Sequence, residues 1–132
     1  MRKLFNVLIA GTLVSFFLLG FIGVQKPWDV PDKYKNMKNP TKADQSSITL
    51  GKELYTKHCK SCHGPKGLGD GPKAANLKTK MRSFTSAEFK AQKPGVIYYQ
   101  SFVGRDEMPN FEKKILAEEE RWAIINYLMT LK

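Results

Sequence analysis

The sequence predicts an all-α protein: one small helical domain preceded by an N-terminal transmembrane helix. Three observations carry this prediction. After Arg2 and Lys3 comes an apolar run from Leu4 to Val24, about 21 residues, long enough to span a bilayer as a helix. Apolar residues then recur at helical spacing near both ends of the remaining chain. No βαβ pattern interrupts them. Of the 132 residues, about one hundred remain for folding, enough for one small domain. The boundaries read as 1–25 for the apolar helix, 26–45 for a linker and 46–132 for the domain.

The apolar segment is read as an uncleaved signal anchor. A cleaved signal peptide opens the same way, but its apolar region is shorter and ends at a small-x-small site. Here Leu18 and Phe21 stand two before the candidate glycines Gly20 and Gly23, and no cysteine follows for a lipid anchor. Residues 26–41 read as an extended tether, because Pro27, Pro31 and Pro40 exclude a continuous helix. Trp28 reads equally as a membrane-interface anchor or as a residue packed on the domain. Tyr34 and Met37 place the second half of the tether against the domain surface.

Within the domain, Asp44, Ser46 or Ser47 caps a first helix carrying Ile48, Gly51, Leu54, Tyr55, His58 and Cys62 at helical spacing. Gly51 costs about 1 kcal/mol inside a helix, which a close helix–helix contact would explain, the other reading being a tolerated weak spot. Gly64 to Pro72 holds four glycines and two prolines and is a loop. Thr85-Ser86-Ala87-Glu88 fits a capping box that opens a short helix through Gln92. Val96 to Val103 reads as a helix between Pro94 and Gly104. The last helix runs from about Ala117 to Leu131, with Glu118, Glu119 and Glu120 in its first turn. Trp122, Ile125 and Leu128 or Met129 form its apolar stripe, broadened by Ile124, Tyr127 and Leu131.

The chemistry lies in Cys59-Lys60-Ser61-Cys62-His63, the Cys-x-x-Cys-His attachment pattern of a c-type haem. Positions i and i+3 share one face of a helical turn, so two thiols reach two vinyl groups on one porphyrin edge. The next residue, His63, then gives an imidazole nitrogen to the iron. Three other readings compete. A dithiol redox pair usually accompanies a βαβ unit. A zinc site of His58, Cys59, Cys62 and His63 converges poorly on a tetrahedron and lacks a second ligand pair. A disulfide closes awkwardly across three residues. The loop 64–72 is expected to wrap the His63 side, with a carbonyl near Pro72 accepting the imidazole N–H.

Met108, in the loop Arg105 to Phe111, is the candidate second axial ligand. A neutral thioether stabilises ferrous iron and raises the potential. Met81 is the rival, and gap-filling is the commoner use of methionine. The formal charge of +10 and the pI of 9.7 raise nucleic-acid binding as a class. No nucleic-acid-binding signature accompanies them, so a basic face for an acidic redox partner is expected, or else a plain lysine-rich surface.

On these residues the chain resembles a class I (mono-haem) cytochrome c over about Ser46 to Lys132. The resemblance rests on Gly51 and Tyr55 facing Ile124 and Tyr127, on Cys59, Cys62 and His63, on Gly69-Asp70-Gly71-Pro72, and on Met108-Pro109. It implies a small all-α bundle wrapped around one covalent haem, with first and last helices crossing over it. Ala117 departs from the Ser or Thr that often caps the last helix. Asn39-Pro40 with Ser46 to Pro72 is also similar to cytochrome subunits of bacterial respiratory and oxidoreductase complexes.

The expected function is single-electron transfer with no substrate turnover, His63 and Met108 filling both axial positions of the iron. Lys60, Lys66 and Met108-Pro109 are expected beside an exposed haem edge. The alternatives are a haem subunit of a larger membrane complex, or an open-site haem protein that binds peroxide or small gases. The expected place is the inner (cytoplasmic) membrane, single-pass, with the haem domain in the periplasm or outside. Arg2 and Lys3 favour that orientation, while Lys26, Lys33, Lys35 and Lys38 oppose it. Long following domains translocate largely regardless of charge, and c-type haem is attached on the outer face.

Overall fold

The structure is a computed structural model that describes residues 26–132. The apolar segment 1–25, and with it the transmembrane-helix expectation, lies outside the described residues. Among the described residues no helix is long and apolar enough to cross a membrane.

Two helices set the frame. Helix α2 (Gln45–His58) opens at Asp44, whose carboxylate accepts the Ser47 N–H. Of the three candidate caps, then, Asp44 is the one used. Helix α6 (Glu118–Thr130) packs across α2, and Gly51 is the point of closest approach. A Cβ on Gly51 would lie 2.0 Å from the Ala123 carbonyl oxygen and 2.9 Å from the Tyr127 Cβ. Only glycine lets the two backbones meet there, as the sequence suggested.

Helix α6 is buried further round than its apolar stripe foretold. Trp122 through Leu128 are all buried, Asn126 included, while Met129 is exposed. Its start has no side-chain cap at Ala117. Glu118 instead accepts the Trp122 indole N–H at 3.1 Å.

The tether is only partly extended, and this corrects the sequence reading. A helical turn, α1 (Asp32–Lys35), follows Pro31. Pro31 fits at a helix start because its missing N–H has no partner there. The tether lies on the domain: Val30 is buried, and the Tyr34 ring is 4.9 Å from that of Tyr99. Trp28 also packs on the domain, edge-on to Tyr99 at 6.2 Å. At its far end, Asn126 of α6 gathers the chain. Asn126 accepts from Asn39 Nδ2 at 2.7 Å, and its own amide donates to Thr41 Oγ1, Lys42 O and Ser47 Oγ.

Three short α-helices and a 3-10 turn (Ala74–Asn76) complete the described part of the domain. Helix α3 (Lys60–His63) follows α2 after a break at Cys59. Helix α4 (Ala87–Lys90) is capped by Ser86, which accepts the Phe89 N–H, one residue later than the capping-box reading and ending short of Gln92. Helix α5 (Pro94–Tyr98) runs into a π-turn, Tyr99–Val103, closed by the bond from Gly104 N–H to Tyr99 O at 3.1 Å. The expected helix over 96–103 is therefore present with a changed pitch. The core joins Tyr55, Phe89, Ile97, Tyr98, Phe102, Ile115, Trp122, Ile124, Ile125 and Leu128. Among the described residues there is no strand, only an isolated bridge between Arg105 and Met108.

Candidate functional site

Cys59 sits at the joint between α2 and α3, and its carbonyl accepts from both Cys62 N and His63 N, at 3.1 and 3.0 Å. That turn fixes the spacing of the two thiols and the imidazole. Both cysteines are free and half-buried. Burial, with a smaller contribution from Cys62, pushes the Cys59 thiol up to about 12. Burial alone lowers His63 to about 4, so its imidazole is neutral and keeps the lone pair that a metal ligand needs.

The glycine-rich loop closes on this turn through its N–H groups. Gly69 N donates to His63 O at 2.9 Å, Gly71 N to Cys62 O at 3.1 Å, and Lys73 N to Ser61 O at 2.9 Å. These bonds satisfy the last carbonyls of α3, which have no partner within the helix. The Tyr55 hydroxyl adds a buried bond to Gly64 O at 2.5 Å. The expected bond from His63 to a carbonyl near Pro72 is not formed. His63 Nδ1 is buried without a hydrogen-bond partner, because the loop turns its N–H groups to the helix. The Phe84 ring stacks on His63 at 4.4 Å and 23°.

Cys59, His63 and Met108 line one cavity, together with Tyr55, Phe84, Phe102, Ile124 and Leu128. The fold thus brings the Met108 turn, 45 residues after His63, to the same space. Cys62 adjoins through the α3 turn. Met81 is placed elsewhere: its Cβ would be 2.6 Å from a Cβ on Gly69, in the glycine-rich loop.

Three features missing from the sequence reading shape the site. Phe84 covers the imidazole, and no spacing marks it. Glu107, beside Met108, accepts the N–H groups of Lys78 and Thr79 at 3.0 and 2.8 Å, and these bonds lower its carboxyl below the usual value. Arg105 reaches the opposite way, to the tether. Of the basic residues expected near a haem edge, Lys60 and Lys66 are exposed.

The residues present fit a covalently held haem. Two free thiols and a neutral imidazole share one turn, Met108 lines the same small, mainly apolar cavity, and a buried imidazole nitrogen lacks a partner. Among the described residues no cluster of three or more His, Cys, Asp or Glu is arranged to hold a metal ion, which leaves the zinc reading of His58, Cys59, Cys62 and His63 without support.

Residues 48–132 match the family described as Cytochrome c. Members of that family bind covalently attached haem c, and Cys59 and Cys62 fit its attachment motif. A chain of the reducing HAO-like protein complex of Kuenenia stuttgartiensis is similar in structure, with a TM-score of 0.64 and 28% sequence identity. The match covers 84% of the present chain and 53% of that one, so the present chain spans about half the length of its structural neighbour. No curated protein matches the chain.

Proposed function

The chain belongs to the cytochrome c family, and we propose that it is a single-haem electron carrier anchored at the outer face of a bacterial inner membrane. The observation that carries the reading is the convergence of Cys59, His63 and Met108 on one apolar cavity. Cys59 and Cys62 would hold the haem through thioethers, and His63 and Met108 would supply ligands to its iron. Such a haem supplies a one-electron ferric/ferrous couple, held toward the ferrous side by the neutral thioether.

The protein's part is to bind, orient and exclude water. The α3 turn sets the imidazole beside the thiols. Phe84, Phe102, Ile124 and Leu128 supply the apolar wall, which disfavours the charged ferric form. Ligands from His63 and Met108 would leave the iron to electron transfer without substrate turnover. The net charge of +10 favours partners with an acidic docking face, so the transfer rate falls as salt rises. The anchor and the periplasmic or outer placement rest on the apolar run Leu4 to Val24.

The test is optical spectroscopy of the protein made with haem-maturation machinery, followed by acid-acetone extraction. Haem retained on the polypeptide, a low-spin reduced spectrum and a ferric methionine–sulfur band are expected. Met108→Ala is expected to abolish the band and lower the potential. Retained haem with a high-spin spectrum, and carbon monoxide binding to the reduced protein, would replace the carrier by an open-site haem protein. Absence of covalent haem would overturn the reading.

A second reading has its own support: the structural neighbour belongs to a multi-subunit complex. A dedicated haem subunit would co-purify with fixed partners after mild detergent extraction, whereas a tethered shuttle would not.

A further inference from the structure

We propose that residues 26–37 form a strap that positions Met108, with Arg105 as the positioning residue between them. The proposal rests on Met108 as the axial ligand. Its evidence is a chain of contacts running from the strap into the Met108 turn.

The strap has a built seat. A Cβ on Gly95 would lie 1.9 Å from the Tyr34 carbonyl oxygen and 2.7 Å from the Met37 Cβ, so only glycine admits the strap there. Val30 is buried, and Trp28 and Tyr34 both pack on Tyr99. From the turn, the Arg105 guanidinium donates to Pro27 O at 2.7 Å and also to Lys26 O, and lies 4.1 Å above the Trp28 ring. Charge-assisted bonds to two adjacent carbonyls, combined with a cation over an indole, hold one geometry well.

The strap therefore touches both ends of segment 99–105, which leads into Met108. Tyr99 O closes the π-turn by accepting Gly104 N–H. Gly104 stands at φ +70°, and a Cβ there would meet Met108 O at 2.2 Å. Arg105 O accepts Met108 N–H at 2.9 Å. The turn has little core burial of its own: Arg105 and Met108 are half-buried, and Asp106 and Glu107 are exposed. Asp106 moreover adopts φ +50°, a conformation that a side chain disfavours. Among the described residues two side chains anchor this turn to other segments: Arg105 to the strap, and Glu107 to Lys78 and Thr79. Displacing the strap removes the first and lets the turn open opposite His63.

The experiment is an imidazole titration of the full-length ferric holoprotein, read by loss of the methionine–sulfur band. Arg105→Ala, which loses the charge-assisted bonds, is expected to raise imidazole affinity at least ~10-fold, and Trp28→Ala, which keeps the backbone carbonyls but loses the cation–π contact, at least ~3-fold. Arg105→Lys keeps a cation over Trp28 but loses the paired geometry, and should fall between, near ~3-fold. If Arg105→Ala takes up no haem, Arg105→Lys and Trp28→Ala carry the test. Ser86→Ala, which removes the cap of α4, is the control. It should lower the unfolding midpoint but leave imidazole affinity within ~2-fold, since loss of a cap costs stability without touching the Met108 turn. Unchanged affinity in both Arg105→Ala and Trp28→Ala, with the band lost in Met108→Ala, overturns the strap alone. A band that survives Met108→Ala, or is absent from the wild type, overturns the axial reading and the strap with it.

Discussion

Replacing Gly51 by alanine tests the helix crossing on which the domain is built. Two effects oppose each other. In an exposed helix the change would stabilise by about 1 kcal/mol through propensity. At the crossing, the new methyl would lie 2.0 Å from Ala123 O and 2.5 Å from Ala123 C. Both are backbone atoms in the middle of α6 and cannot rotate away. Ordinary contact begins near 3.4 Å, so α2 and α6 must part by roughly 1.4 Å along the line to Ala123 O. A gap of that size forfeits about half or more of each dispersion contact across the seam. Tyr55, Ile124 and Leu128 all belong to the core beside it. Overpacking of this kind costs about 1–3 kcal/mol or more, and the rigid backbone target puts Gly51 at or above the top of that range. The net expectation is a loss of about 2–4 kcal/mol after subtracting the propensity gain. Guanidinium unfolding of the holoprotein, followed by both circular dichroism and haem absorbance, measures it. An unchanged or higher midpoint would refute the close crossing.

Three more predictions rest on single side chains. Asn126→Ala should destabilise by about 2–4 kcal/mol in the same unfolding assay, because Asn39, Thr41, Lys42 and Ser47 all lose a partner on α6. Tyr55→Phe leaves the Gly64 carbonyl only the longer bond from Gly67 N–H at 3.3 Å and should lower stability by about 0.5–1.5 kcal/mol, with the haem spectrum retained. Glu107 has its carboxyl held below the ordinary 4.5 by the N–H groups of Lys78 and Thr79. Its folded pKa lies under the unfolded one, so its contribution is present above pH 4.5 and is lost as pH falls through the folded value. The stability difference between wild type and Glu107→Gln should therefore be constant near neutral pH and shrink toward acid. A difference independent of pH from 6 to 3 would show that the carboxylate bonds contribute nothing.

Local spacing was enough to read the haem turn, the glycine-rich loop and the helix ends. Cys59, Cys62 and His63 lie within a single turn, and a cap such as Asp44 acts three residues away, on Ser47. Gly51 in a helix pointed to a close helix–helix contact, and the resemblance to cytochrome c implied that the last helix was the partner. Tertiary structure decided the rest. It chose Trp28's side by setting Arg105, 77 residues later, over its ring. It folded Asp32–Lys35 into a helical turn against Tyr98 and Tyr99, where the polar composition of the tether suggested an extended chain. It buried Asn126 within an apolar helix because four groups far away in the chain needed its amide. Each of these outcomes depends on partners roughly 60 to 90 residues away, and burial or hydrogen bonding at that separation leaves no periodicity or spacing in the sequence to mark it.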